Sequence, residues 1–219
     1  MNWIKKETKR RTALYRRRFL HAKPFRHVVI PEAFHPTLLR QVRKALHSES
    51  FKKMHSETSR GAFLRYFEAK NPFLKNCLPS FFKEMLPWVE SITQMKFSRL
   101  RVGMDFYRYH KADYLNVHRD SGPFYAVVFI VNLTNFSLRE GGRLMLLDSP
   151  TPKRERKRSM TKYIPHRFNN LILFQAGRKS FHQMEPFRTN NDKERLTMGG
   201  AFFKSRCDYP LVQFLKKSK

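Results

Sequence analysis

The sequence has few cysteines and acidic residues and no long apolar segment. Its two cysteines, Cys77 and Cys207, indicate neither a disulfide framework nor a cysteine-based metal site, and they favour a reducing compartment. The longest apolar runs, 126–131 and 171–174, fall far short of the roughly 20 residues of a membrane-spanning helix. The basic N-terminus also lacks the apolar stretch of a secretory signal. No membrane span is predicted, and the expected location is intracellular: cytoplasmic or, in a eukaryotic host, nuclear.

Acidic side chains are outnumbered by basic ones. The chain has 17 Asp and Glu against 45 Lys and Arg, which gives a formal net charge of +28 at pH 7. A field of this sign attracts polyanions such as nucleic acid, a ribosome or an anionic membrane surface. It is equally compatible with a solvated basic surface that has no dedicated partner. The charge therefore indicates the surroundings of the protein and leaves its chemistry open.

The length and composition predict one domain. With 219 residues, 41% of them hydrophobic, the chain can bury one sizeable core and is too short to indicate two. Residues 1–23 form a basic leader, interpreted as a solvated helix or frayed tail in preference to an amphipathic helix on RNA or lipid. The domain is expected to span 24–204, followed by a basic C-terminal tail over 205–219.

Helical patterns come first in the domain and strand patterns come later. A short strand near 26–30 precedes a helix predicted from about residue 36 to residue 46, and a second helix over 78–95 is expected to be kinked or split at Pro87. Short β-rich runs follow from about residue 100. This order predicts an α+β fold with a jelly-roll core. The predicted strands are 100–109, 125–133, 143–147, 171–175, 179–184 and 196–203, with a polar, basic loop at 150–162.

One His-x-Asp pair and one later histidine have the pattern of a metal site. His118 and Asp120 are two positions apart, so in an extended segment both side chains leave the same face. His182 lies on another predicted strand. Two imidazoles and one carboxylate on one side of a metal are the ligand set of a non-haem Fe(II) oxygenase. The other histidines near the motif, His110 and His166, are expected to have supporting or surface roles.

A candidate anion receptor follows the third metal ligand. Arg195 begins the next predicted strand, and Thr197, two positions on, points to the same side. A buried guanidinium beside a hydroxyl suits a carboxylate, because Arg can engage both oxygens. Taken alone, Arg195 is more simply a surface ion-pair partner of Asp192 or Glu194. The neighbouring metal-ligand pattern favours the receptor.

In order and spacing these motifs resemble the prolyl-hydroxylase type of 2-oxoglutarate oxygenase. The resemblance runs from about residue 24 to residue 204, and segment 24–31 is similar to the branch that hydroxylates a proline of a ribosomal protein. It implies a double-stranded β-helix supported by N-terminal helices. The motifs that carry it are 109, 113–115, 118–120, 132–133, 140–144, 167–171, 180–184 and 195–197.

The resemblance also implies a role for each matching residue. His118, Asp120 and His182 would bind Fe(II), and Arg195 would bind the C5 carboxylate of 2-oxoglutarate. Ascorbate is a candidate reductant. Gly141 and Gly142, which follow Glu140, would be turn residues with the backbone freedom that other residues lack.

Three further residues would surround the cosubstrate. Tyr109 and Thr197 would hydrogen-bond near 2-oxoglutarate. Asn132 departs from the family pattern, because many prolyl hydroxylases have at this strand position a Tyr that helps to hold 2-oxoglutarate. An amide can still donate a hydrogen bond. Core packing for Tyr109 and a strand-end turn for Asn132 are equally good interpretations.

The implied reaction is hydroxylation of a C–H bond with release of succinate and CO2. Asp120 argues against a halogenase, in which a halide replaces that ligand. A prolyl residue of a protein, with a ribosomal protein as first candidate, is the favoured substrate. Oxidative demethylation of nucleic acid is disfavoured, because the AlkB type carries a second Arg six positions after the first and residue 201 is Ala. The remaining alternative is a non-catalytic basic module that binds nucleic acid and retains the fold.

Overall fold

The computed structural model describes residues 1–120, 124–150, 161–188 and 193–204, with only the backbone for residues 99–102. The basic run 153–158 and the C-terminal tail over 205–219 lie outside the described residues. Residues 161 and 162, predicted as the end of a loop, instead begin a strand. Pairing with a neighbouring strand explains this, because both residues lie opposite a buried strand of the core.

Helices occupy mainly the N-terminal part of the chain, and strands follow. The helices are α1 (Lys6–Arg10), α2 (Thr12–His21), α3 (Pro36–Leu46) and α4 (Pro72–Thr93). The strands are β1 (His27–Ile30), β2 (Lys52–His55), β3 (Ser59–Arg65), β4 (Phe97–Tyr109), β5 (Tyr114–Arg119), β6 (Tyr125–Asn132), β7 (Leu144–Leu147), β8 (Thr161–Ile164), β9 (Leu171–Gln175), β10 (Phe181–Met184) and β11 (Arg195–Lys204). Short 3₁₀ turns lie at Tyr66–Glu68 and Leu138–Glu140.

The strands form one antiparallel sheet that folds over on itself. Their order over the described residues is β1-β9-β6-β11-β4-β3-β5-β10-β7-β8, and β2 extends the sheet from β3. Every strand pair is antiparallel. The result is a nearly closed, barrel-like jelly roll, so the predicted double-stranded β-helix core with N-terminal supporting helices is confirmed.

Alternation along the strands divides the buried side chains between two cores. Leu173 faces the helices and packs with Phe81 of α4, whereas Phe174, the next residue, faces the opposite wall of the barrel. The inner core joins both walls, because Phe174 and Ala201 pack with Leu146 from across the barrel. Period-two alternation therefore decides which side chains reach the interior of the barrel.

The basic leader is part of the hydrophobic core. Trp3 and Phe19 are fully buried, and Trp3 Nε1 donates a hydrogen bond to Ser80 Oγ of α4 at 2.9 Å. Trp88 of α4 donates in return to Thr12 Oγ1 of α2 at 3.0 Å. The expectation of a solvated helix or frayed tail is therefore wrong for these residues. Division of the chain at residue 23 stays a prediction.

Helix α4 is longer than predicted and is not split. Asn71 caps its start by accepting a hydrogen bond from Phe73 N at 2.9 Å, and the helix continues through Pro79 and Pro87 to Thr93. An internal proline costs a helix about 3 kcal/mol, but burial of the apolar face along the sheet outweighs that cost. No helix among the described residues is long and apolar enough to cross a membrane.

Candidate metal centre

Two neighbouring strands bring the three predicted metal ligands together. His118 on β5 lies directly opposite His182 on β10, and Asp120 follows the end of β5. The two imidazole centroids are 4.1 Å apart, and Asp120 Oδ2 is 3.5 Å from His182 Nε2. One ligand atom from each residue lies within 4.8 Å of the others. One divalent ion can therefore be reached by all three side chains.

Backbone carbonyls hold both imidazoles in the same orientation. His118 Nδ1 is 2.9 Å from the carbonyl oxygen of Asn116, and His182 Nδ1 is 3.1 Å from that of Ser180. A carbonyl only accepts, so each Nδ1 carries the proton and donates it. Each Nε2 then keeps its lone pair for a metal, which is the arrangement found around metal-bound histidines.

The centre has one dry side and one open side. His182 is buried and packs its ring against Phe174, with 4.8 Å between the centroids. Burial, and after it the charge of His118, lower the pKa of His182 to about 4, although Asp120 opposes the shift. His182 is thus neutral near pH 7, as a metal ligand must be. His118 and Asp120 are partly exposed, so the centre opens on their side.

Arg195 is a buried cation without a counter-ion. It is 4% exposed, its Nε donates to the carbonyl of Gly142 at 3.1 Å, and its guanidinium carbon is 5.4 Å from the centroid of the Tyr109 ring. Burial lowers its pKa to about 10, so the positive charge persists at neutral pH. No carboxylate pairs with it among the residues that the structure describes, where Glu194 instead pairs with Arg108 at 3.5 Å. The surface ion-pair interpretation with Glu194 is therefore wrong.

The polar residues predicted around the cosubstrate share the inner face of the barrel with Arg195. Tyr109 lies directly opposite Arg195 across β4 and β11, and Asn132 lies opposite Thr197 across β6 and β11. Arg195 and Thr197 are two positions apart, so all four side chains leave the sheet on one side. All four are buried, and neither polar atom of the Asn132 side chain has a hydrogen-bond partner among the residues that the structure describes.

Gly142 allows the close approach of Arg195. Its φ is +66°, and a Cβ at this position would lie 3.3 Å from Arg195 Cδ and 3.4 Å from the Phe187 ring. Gly141 also has a positive φ, of +72°. The expectation that these two residues need glycine's backbone freedom is therefore confirmed.

Half-buried Tyr107 and buried His166 were not predicted to bind metal or cosubstrate, although a supporting or surface role was expected for His166. Tyr107 lies on the same strand face as Tyr109, and its hydroxyl donates to Asp105 Oδ2 at 3.3 Å. Burial raises the pKa of Tyr107 far above its ordinary value. Period two along β4 could have identified it once Tyr109 was chosen. His166 is 3% exposed, and local sequence carries no signal for its position.

The comparison with protein families agrees with this geometry. Residues 104–203 match the family described as the 2OG-Fe(II) oxygenase superfamily. That segment includes the three clustered metal-ligand candidates and Arg195. None of the curated proteins matches the chain significantly in sequence.

Solved structures share the fold at low sequence identity. A prolyl hydroxylase from Trichoplax adhaerens, in complex with a hypoxia-inducible-factor peptide fragment, has a TM-score of 0.69 at 12% identity, covering 91% of this chain and 91% of that chain. A Pseudomonas putida prolyl-4-hydroxylase gives 0.65 at 11% identity, covering 87% and 98%. HygX from Streptomyces hygroscopicus, with nickel and 2-oxoglutarate bound, gives 0.61 at 12% identity, covering 82% and 83%. These likenesses show the fold alone.

Proposed function

We propose that this protein, whose residues 104–203 match the 2OG-Fe(II) oxygenase superfamily, is a dioxygenase of that superfamily that hydroxylates a prolyl residue of a protein. The observation that carries the proposal is the combination of two groups inside one barrel. Three potential metal ligands converge within 4.8 Å, and a buried guanidinium, which has no counter-ion in the described part of the chain, faces the same interior. A metal ion and an acid that bridges to the arginine would satisfy both groups.

The donor set fits Fe(II). His118 and His182 would hold it through Nε2 and Asp120 through a carboxylate oxygen, which leaves coordination positions for other ligands. Bound Fe(II) would supply O2 activation: as 2-oxoglutarate is oxidised to succinate and CO2, one oxygen atom of O2 enters succinate and the other enters the C–H bond of the substrate. Ascorbate as a reductant stays a prediction.

The chain's own groups would position the cosubstrate and keep its site dry. Arg195 offers a fork of N–H donors and a full positive charge to the C5 carboxylate. Tyr109, Thr197 and Asn132 offer polar atoms on the same face. Because these residues are buried, their interactions with a charged ligand are stronger than they would be in water.

The proposal of a prolyl substrate rests on the sequence motifs and on the solved structures that share the fold. Two of the three similar structures named above are prolyl hydroxylases, and one of them is in complex with a peptide. An oxygenase of nucleic acid is less well supported. Ala201 packs in the inner core with Val128 and Ile172, so this position offers a methyl group where a demethylase of the AlkB type has an arginine.

A ribosomal protein is the first candidate substrate, because the leader presents arginines on a folded scaffold. Arg10, Arg11, Arg17 and Arg18 are exposed, while Trp3 and other apolar leader residues are buried. Such a surface would favour encounter with an RNA-rich particle. The RNA contact would act on association and would not participate in the chemistry.

The cofactor assignment is tested by anaerobic titration of the Fe(II)-loaded protein with 2-oxoglutarate, followed through the weak visible metal-to-ligand charge-transfer band. We expect the band in the wild type, and its loss or weakening in Asp120→Ala and Arg195→Ala. Glu7→Ala, an exposed carboxylate change on α1, is the control and should keep the band. A wild type that holds iron yet binds no 2-oxoglutarate would instead favour the non-catalytic basic module.

The substrate is tested next with ribosomal proteins and proline-containing peptides. We expect a mass increase of one oxygen on a prolyl residue, dependent on 2-oxoglutarate and absent with Asp120→Ala. Oxygen addition to nucleic acid, with none on protein, would contradict the prolyl proposal while leaving the cofactor assignment intact.

A further inference from the structure

Two buried side chains on the Arg195 side of the barrel have polar atoms without partners. Within the described residues, Nδ1 of His166 and both amide atoms of Asn132 make no hydrogen bond. His166 is 3% exposed and Asn132 is 1% exposed. Buried polar groups in folded proteins are nearly always satisfied, because desolvation is otherwise uncompensated. Both residues therefore call for a polar ligand.

The hydrogen-bond distances around Thr134 favour one tautomer of His166. Thr134 Oγ1 accepts the backbone N–H of Leu196 at 3.0 Å, which leaves the hydroxyl proton to be donated. His166 Nε2 lies 3.0 Å from this oxygen, and the competing carbonyl of Leu196 is more distant, at 3.5 Å. The shorter of these two distances favours donation of the hydroxyl proton to Nε2. A neutral imidazole that accepts at Nε2 carries its proton on Nδ1.

His166 is uncharged in the folded protein. Burial lowers its pKa well below the ordinary value, and the nearby charge of Arg195 lowers it further. Its free Nδ1–H is thus a neutral donor, held in place by a ring that neither titrates near pH 7 nor reaches solvent.

Packed rings connect His166 to the surroundings of Arg195. The imidazole stacks on Phe136 with 5.3 Å between centroids, and Phe136 contacts the Phe187 ring at 4.5 Å. Phe187 and Arg195 border the same face of Gly142. The orientation of the histidine is consequently fixed by packing before any ligand binds.

Asn132 lies on β6, the strand next to β11, two positions before Thr134. It lies opposite Thr197, and its amide offers one donor group and one acceptor atom, neither of which has a partner in the described ranges. The side chain is too short to repeat the reach of the tyrosine that the family pattern has at this position. The hydroxyl donor of that tyrosine is therefore missing, and Nδ2 of Asn132 and Nδ1 of His166 are available as nitrogen donors instead.

We propose that His166 Nδ1–H and Asn132 Nδ2–H bind the C5 carboxylate of 2-oxoglutarate together with Arg195, replacing the tyrosine of the family pattern. The inference rests on the proposed function, because it assigns these groups to that cosubstrate. A single cation flanked by two neutral donors is selective for a carboxylate, whose oxygens can accept all of these hydrogen bonds. A 2-oxo acid without the C5 carboxylate is not bound more tightly because of these donors.

Matched substitutions separate the two nitrogens of His166. The amide of His166→Gln reaches the place of Nε2 and can keep the contact with Thr134, but it lacks the Nδ1 donor. His166→Asn puts an amide near the place of Nδ1 and gives up the Thr134 contact. Asn132→Leu removes both amide atoms at similar volume. Thr93→Val, a buried change in α4 away from the barrel interior, is the control for general destabilisation.

The experiment measures dissociation constants by calorimetry on the protein loaded with Mn(II), which binds but does not turn over. The probes are 2-oxoglutarate and 2-oxopentanoate, which has the same chain length without the C5 carboxylate. We expect 2-oxoglutarate to bind about tenfold more weakly to His166→Gln and Asn132→Leu, the loss expected for a hydrogen bond to a charged group. His166→Asn should retain most of the affinity, and 2-oxopentanoate should bind every variant as it binds the wild type.

Three outcomes would overturn the inference. If the wild type binds 2-oxoglutarate and His166→Gln and Asn132→Leu bind it equally well, the donors have other partners and the proposed function still stands. If both probes are weakened alike, the side chains act through packing alone. If the metal-loaded wild type does not bind 2-oxoglutarate at all, the proposed function fails and this assignment fails with it.

Discussion

His182 lies directly across from His118 in the antiparallel pair of β10 and β5, and each imidazole meets the carbonyl of the residue two positions before it. The pairing and the two carbonyls together present both Nε2 atoms to one point. Neither feature needs a metal to form, because strand register and backbone geometry already impose it. The centre is therefore preorganised, and metal binding does not have to order these two rings.

A preorganised centre should stabilise the fold when it binds metal. We expect Co(II) or Mn(II), at about 100 times the dissociation constant, to raise the free energy of unfolding of the wild type by about 2.7 kcal/mol. His182→Ala and Asp120→Ala should lose this increment. His110→Ala, at an exposed histidine, should keep it. Urea unfolding with and without the ion measures the difference, and an equal increment in Asp120→Ala would contradict the three-ligand centre.

The buried charge of Arg195 should favour 2-oxoglutarate binding and lower the stability of the ligand-free protein. Its buried charge has no counter-ion in the described part of the chain, and an unpaired buried charge is costly to fold. We expect Arg195→Met to leave the ligand-free protein as stable as the wild type, or more stable by about 1–3 kcal/mol, while 2-oxoglutarate binding is lost. Urea unfolding of the metal-free proteins checks this, with Arg188→Met at an exposed position as control. A clear loss of stability in Arg195→Met would mean that the cation is already satisfied.

Gly142 offers a test of the pocket that leaves every polar side chain in place. Gly142→Ala would add a Cβ 3.3 Å from Arg195 Cδ at a φ of +66°, a conformation that costs an L-residue about 1–2 kcal/mol. We expect lower stability and weaker 2-oxoglutarate binding, because the arginine must move. Gly177→Ala is the matched control, since nothing lies within 4 Å of its Cβ position. Equal effects of the two substitutions on 2-oxoglutarate affinity would contradict the role of Gly142.

The sequence predicted the parts of the site that depend on the two-residue period of a strand. It did not predict the parts that depend on contacts between distant segments of the chain. His118 and Asp120 could be placed on one face because they are two positions apart in an extended segment. The position of His166 depends on Thr134 and Leu196, which come from two other parts of the chain. No local pattern identifies such a position. The same reason explains why an unpartnered Asn132 could not be foreseen.

The prediction for the leader was wrong for a related reason. Its basic residues dominate the composition, and burial of Trp3 depends on Ser80 and Phe81 of α4, far away in sequence. The basic residues correctly indicated the exposed face of α1 and α2, but they gave no sign of the buried face of these helices. Helices α3 and α4 and the jelly roll could be expected in outline, whereas the docking of α1 and α2 onto α4 required the tertiary structure.

His166 predicts a pH dependence of stability. Its folded pKa is well below its ordinary value, so the unfolded chain binds this proton more readily than the folded one. Stability from this group is therefore complete above about pH 6.5 and falls as the pH drops below it, by up to about 1.4 kcal/mol per pH unit. Metal-free His166→Gln should lose less stability than the wild type between pH 7 and 5.5. Identical pH profiles of urea unfolding for the wild type and His166→Gln would show that folding does not lower the pKa of His166.

Trp3 predicts that the leader is needed by the rest of the protein. Its side chain is fully buried and packs edge-on against Phe81 with 5.2 Å between ring centroids. We expect Trp3→Ala to lower the free energy of unfolding by about 3–5 kcal/mol, the usual cost of removing a buried aromatic ring. Lys6→Ala, at an exposed position of α1, should change it by less than about 0.5 kcal/mol. Urea denaturation compares the two, and a chain that begins at residue 24 should be less stable still. If Trp3→Ala were as stable as Lys6→Ala, the leader would be docked too weakly to present its arginines on a fixed surface, and the proposed encounter with an RNA-rich particle would lose its structural basis.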